Sequence, residues 1–134
     1  MKPTIFAILT LLIGVVPGYS INWEFITSVS TPDGIEISYY IDTDEIGITN
    51  GIRSYKEKRI YTRGKSLRNI GTVQIIGYFD CDNEYYVKGS ISFFSPEDKY
   101  LDGYIFTGDA NKWEQISPGS NRMIYEYVCT FNKR

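Results

Sequence analysis

The sequence predicts an α+β domain: a single antiparallel β-sheet of about six strands, with a C-terminal helix packed on it and tied to it by a disulfide. Three observations carry that expectation. Six stretches between Trp23 and Thr107 are rich in Ile, Tyr, Phe and Val, many with period-two alternation, and turn-forming residues separate them. One C-terminal stretch repeats its apolar residues at helical spacing. Only two cysteines occur, Cys81 at the end of the most apolar strand and Cys129 at the end of the helical stretch, so the pair reads as a staple between the two.

Residues 23–30 set Trp23, Phe25 and Thr27 against Ile26 and Ser28, the first strand. Thr31-Pro-Asp-Gly34 is a turn by composition. Residues 35–42 place Ile35, Ile37, Tyr39 and Ile41 on one face, a second strand that forms a hairpin with the first. Residues 42–51 are polar and end in the turn signal Asn50-Gly51, with Ile46 and Ile48 expected to point inward. Residues 52–61 mix Tyr and Ile with long cations, a third strand with a charged exposed face, and residues 63–69 form a basic loop.

Residues 72–81 make the fourth strand. Val73, Ile75 and Phe79 lie on one alternation set and Ile76 and Tyr78 on the other, which predicts cover on both faces. Residues 85–94 are a fifth strand with Gly89 marking a bulge. Residues 100–107 are the sixth, after the turn Ser95-Pro-Glu-Asp98. A loop then carries Trp113 as a buried plug, and Ser117-Pro118 reads as an N-cap with proline in the first helical position. The helix buries Met123, Ile124, Tyr127, Val128 and Phe131, which leaves Cys129 pointing away from the stripe. Either the helix unwinds near Val128 or Tyr125 and Cys129 form a second buried edge; early unwinding is the preferred expectation.

Composition bounds the function. Lys2 followed by an uncharged apolar run and Pro17-Gly-Tyr-Ser20 has the layout of a secretory signal peptide, so residues 1–20 are expected to be removed and residues 21–134 to be the domain. The run is short for a membrane span, which takes about 20 residues. No cysteine stands where lipid would be attached, so the protein is not expected to be a lipoprotein. The chain has 14 basic and 16 acidic residues, 13 against 16 without Lys2, so no nucleic acid partner is expected. There is no histidine. That removes Ser-His-Asp and Cys-His catalysis and histidine zinc sites, and no cofactor is expected.

One surface feature runs against the overall charge. Arg53, Lys56, Lys58, Arg59, Arg63, Lys65 and Arg68 stand against Glu57 alone, a candidate patch for an acidic or sulfated partner. The competing reading is a sheet edge guarded by cations plus a solvated loop. Asp80, Asp82 and Glu84 fail the calcium-loop template and read as solvated turn acids. Tyr39-Tyr40 and Tyr85-Tyr86 each send one ring outward, as interface residues or as ordinary strand residues.

The ordered landmarks Trp23, Tyr39-Tyr-Ile-Asp42, Phe79-Asp-Cys81, Trp113-Glu-Gln-Ile-Ser-Pro118 and Tyr125-Glu-Tyr-Val-Cys129 together resemble the surface-adhesin protein E-like family of Gram-negative bacteria. The resemblance spans residues 23–129. It departs from the family at Tyr55-Lys56, where a Trp is common, and in lacking a lipidation cysteine. It implies the same six-stranded sheet with a helix tied by Cys81 and Cys129, and an extracytoplasmic location in the periplasm or on the outer cell surface. The family's name-giving member binds host extracellular-matrix proteins. The expected function is therefore an exported non-enzymatic binding module of adhesin type with a protein ligand, and a homodimer is compatible with it. The alternative is a periplasmic inhibitor or accessory protein acting on another exported protein.

Overall fold

The computed structural model describes residues 22–62, 70–108 and 111–132; the expected signal peptide at 1–20 and basic loop at 63–69 lie outside them. Among the described residues eight strands and one α-helix follow in order, with a 3-10 turn at Thr43–Glu45 after the second strand: β1 (Trp23–Ser30), β2 (Glu36–Asp42), β3 (Gly47–Thr49), β4 (Ile52–Thr62), β5 (Thr72–Asp80), β6 (Tyr85–Phe94), β7 (Tyr100–Ile105), β8 (Glu114–Gln115) and α1 (Ser120–Thr130). All pairings are antiparallel, in the order β1-β2-β4-β5-β6-β7, with β3 on β4 and β8 on β6. The six long strands are those the alternation predicts, and the sheet they form is curled. β3 and β8 fall in stretches read from sequence as loops, because two or three residues are too few to show a period. Gly89 is the extra residue opposite Ile76 and Gly77, a bulge as expected.

Register sorts the side chains into two faces. Tyr39, Ile41, Tyr55, Glu57, Ile75 and Phe79 share one face by cross-strand pairing, and α1 lies over part of it. Ile124, Tyr125 and Val128 from α1 join Tyr39, Ile41, Ile46, Tyr55, Phe79 and Ile116 in the core. Burying each large apolar side chain contributes about 1.5–3 kcal/mol. Tyr55 stacks on Phe79 with centroids 4.2 Å apart, and Phe79 meets Tyr125 edge-on at 5.4 Å. Gly77 makes the stack possible: a Cβ there would lie 2.7 Å from the Val87 carbonyl oxygen and 2.9 Å from the Tyr55 hydroxyl. Gly77→Ala should therefore cost on the order of 1–3 kcal/mol through overpacking; an unchanged thermal midpoint would contradict this.

The helix settles the question that Cys129 raises. α1 runs unbroken to Thr130, and Cys81 and Cys129 are bonded with Cα atoms 5.7 Å apart. The preferred unwinding near Val128 is thus overturned. At about 100° per residue, the buried side is rotated toward Tyr125 and Cys129, and Met123 is left exposed. Two contacts fix that rotation besides the disulfide: the Tyr125 hydroxyl donates to the Cys81 carbonyl (2.8 Å), and Arg53 Nη1 donates to the carbonyls of Val128 (2.8 Å) and Phe131 (2.6 Å).

Other expectations fail for reasons of position. The helix starts at Ser120 with Gly119 as cap at φ 104°, and no side chain caps it; Ser117 and Pro118 precede it because buried Ile116 is pinned by its N–H to the Glu84 carbonyl (2.9 Å). Ile116 is the plug, and Trp113 is exposed at the sheet edge. Ile46 is buried, whereas Ile48 is exposed beside the Asn50-Gly51 hairpin tip. Among the described residues, no helix is long and apolar enough to cross a membrane.

Candidate binding surface

The side of β5 that carries Ile76 and Tyr78 was expected to be covered, and it is not: they are 44% and 41% exposed. α1 packs on the other face, against Tyr39, Ile41, Tyr55 and Phe79. Cross-strand pairing gathers Phe25, Tyr40, Lys58 and Gln74 in one row across β1, β2, β4 and β5, with Trp23, Lys56 and Ile76 beside it. Phe25, 54% exposed, meets Tyr40 edge-on at 5.6 Å.

Two ammonium groups converge on one indole. Lys56 Nζ lies 5.9 Å and Lys58 Nζ 4.5 Å from the Trp23 ring centroid, and Lys58 is 5.4 Å from the Tyr40 ring. Neighbouring rings attract such cations electrostatically. Burial pushes the Lys58 ammonium below the ordinary lysine value, while the Asp98 and Asp42 carboxylates pull it back up. Beside Lys58 an open cleft of about 330 Å³ is lined by Ile60, Thr72, Gln74, Phe94 and Asp98.

The seven basic residues do not share this surface. Strand alternation sends Arg53 and Arg59 to the core face and Lys56 and Lys58 to the open one. Arg53 clamps the end of α1. Arg59 Nε donates to Glu57, which is 1% exposed, and its guanidinium lies 5.1 Å from the Tyr39 ring centroid. Burial works against the Arg59 charge, and Glu57 more than restores it by charge and hydrogen bond, so it stays above the ordinary arginine value. Burial also raises the neighbouring Tyr55 phenol far above the usual tyrosine range, with Glu57 adding to the effect. Arg63, Lys65 and Arg68 lie outside the described residues.

The acids around the disulfide are turn groups. The Asp80 carboxylate accepts from the Asn83 side chain (2.8 Å) and from the backbone N–H groups of Asp82 and Asn83 (3.2 Å each), and these bonds hold it below the usual aspartate value. Glu84 pairs with Arg122 at 2.8 Å. Among the described residues, no group of three or more His, Cys, Asp or Glu is placed to hold a metal ion. Tyr39 is buried and Tyr40 faces the open side, as adjacent strand residues must. The Trp23 cluster was hidden in the sequence because its members are 33 and 35 positions apart; only the β1-β2-β4 pairing unites them.

No family model matches this chain. No curated protein matches it either. Two crystal structures of Haemophilus influenzae protein E are similar to it, each 15% identical and each matched over 86% of this chain. The matches cover 94% and 90% of those chains, with TM-scores of 0.51 and 0.50. At that identity the likeness is one of fold: this chain shares the overall architecture of Haemophilus influenzae protein E.

Proposed function

We propose that this protein is an exported, non-enzymatic binding module of adhesin type, which takes a protein ligand on the open sheet face around Trp23, Phe25, Tyr40, Lys56 and Lys58. The observation that carries the reading is the open part of this sheet face, where exposed Phe25, Ile76 and Tyr78 stand beside two lysines held over the half-buried Trp23 and Tyr40 rings. Contiguous exposed apolar surface with a polar rim marks interaction sites, and outward aromatics supply much of the binding energy at such sites. The fold shared with protein E and the disulfide, a bond of oxidising compartments, support the extracytoplasmic setting. A segment rich in carboxylates or sulfates suits the lysines.

The test is capture of purified extracellular-matrix proteins, and separately of secreted hydrolases, by the purified protein. Matrix proteins should bind. Lys56→Glu with Lys58→Glu should weaken that binding about tenfold at low salt, which is 1.4 kcal/mol, and less at high salt because exposed charges are screened over about 8 Å at physiological ionic strength. Equal affinities for the two proteins at both salts would reject this surface, and capture of hydrolases alone would favour the inhibitor reading.

A further inference from the structure

β7 is the last strand on its side of the sheet: β6 pairs with one of its edges, and no described residue pairs with the other. Bare edges invite another strand, so proteins guard them with Lys, Pro, charges or bulges. β1, the opposite edge, has a bulge between Phe25 and Thr27 and carries Glu24, Ser28 and Ser30. β7 reads Tyr100-Leu-Asp-Gly-Tyr-Ile105, with Asp102 its single charge and an irregularity confined to its first residues. Ile105 is 79% exposed and Tyr100 62%, and Tyr104 and Leu101 are exposed as well. α1 packs against β1 and β4, at the far side of the sheet, and leaves this end uncovered.

The backbone directions can be read. The Phe106 N–H donates back to the Gly89 carbonyl of β6 (2.9 Å), so the amides of Tyr104 and Asp102, in step with it, also face β6. Gly103 and Ile105 therefore turn their peptide groups outward. The Gly103 N–H has found a substitute acceptor in the carboxylate of its own neighbour, Asp102 (2.8 Å). A Cβ on Gly103 would lie 2.6 Å from the Tyr100 hydroxyl, so the Tyr100 ring leans over the glycine.

We propose that a second copy of this chain pairs with β7 antiparallel about a two-fold axis through Tyr104, so that the two curled sheets run on into one. In that register Gly103 of each copy exchanges backbone hydrogen bonds with Ile105 of the other, four bonds in all. The Ile105 side chain then packs over the glycine and against the Tyr100 ring, covering the two most exposed residues of the strand together. The two Tyr104 rings meet at the axis, a favourable aromatic cross-strand pair. Asp102 falls opposite Phe106 of the second copy, so the strand's one charge never faces itself; moving the two-fold axis to Asp102, a register shift of four residues, would set Asp102 against Asp102. The pairing is isologous and closes at two copies. Its contact is short, at the low end of stable interfaces, below about 1,200 Å², so the dimer is concentration-dependent. This pairing goes beyond the ligand reading and does not depend on it, because it leaves the Trp23 face free in both copies.

Sedimentation of the purified protein over a range of concentrations should show reversible association to twice the chain mass. Ile105→Lys, at a position too exposed to matter for folding, should keep the native circular dichroism and lose the dimer. The register has its own readout: Tyr104→Cys brings two thiols to a non-hydrogen-bonded antiparallel pair, with Cα atoms about 4.5 Å apart, and mild oxidation should link them. Asp102→Cys should not be linked. A single-chain mass at every concentration, or an Ile105→Lys protein that still dimerises, would overturn the proposal; cross-linking through Asp102→Cys in place of Tyr104→Cys would overturn the register.

Discussion

Replacing Cys81 and Cys129 together with Ser should lower the unfolding free energy by about 4 kcal/mol, the loop-entropy value for a bond whose ends are 48 positions apart. Small domains have about 5–15 kcal/mol in total, so this loss is a large share of the whole. The bond joins the end of β5 to the end of α1, the helix that closes the core at Ile124 and Val128. In the variant that helix is held by its apolar contacts, the Tyr125 hydroxyl on the Cys81 carbonyl and the Arg53 clamp. We expect α1 to open before the sheet, seen as faster amide exchange in residues 120–130 than in β5. An unchanged urea midpoint would mean that those contacts alone hold the helix in place.

The second large effect concerns a charge inside the sheet. Glu57 is almost wholly buried, and Arg59 on the same face of β4 is its ion-pair partner. Arg59→Met leaves that carboxylate without its cation in a place where water cannot solvate it, and removing one member of a buried pair costs about 3–5 kcal/mol. Replacing both, as Glu57→Leu with Arg59→Met, removes the orphaned charge and should recover most of the loss, since apolar replacements of whole buried pairs are often neutral. Chemical denaturation of the single and double variants checks the point. A double variant as unstable as Arg59→Met would show that the arginine acts through its packing on Tyr39 and not through charge.

These two predictions differ in how far the sequence foretells them. The staple is legible without coordinates: with two cysteines, one ending an apolar strand and one ending a helical stretch, only one bond can form within a chain. The buried pair is not. Read along the chain, Arg53 to Arg68 is one basic segment, and Glu57 is its lone exception. The sheet divides it by parity, Arg53 and Arg59 going inward with Glu57 while Lys56 and Lys58 go outward to Trp23. Odd and even positions in the sequence mark that division, but they do not say which set meets the core.

The sequence by itself determined the six long strands, the Gly89 bulge, the helix and the bond between Cys81 and Cys129, because each follows from a period of two or of 3.6 or from a count of two thiols. Tertiary structure decided what covers what. Ile76 and Tyr78 are apolar enough to be core, and they are exposed because α1 settles on the opposite face, held there by the disulfide, Arg53 and the Tyr125 hydroxyl. Those same tethers turn the helix so that Tyr125 is buried and Met123 is not. Periodicity is a property of neighbouring residues; coverage is set by contacts between residues tens of positions apart, and that is why the open face and the bare edge of β7 became visible only in the folded chain.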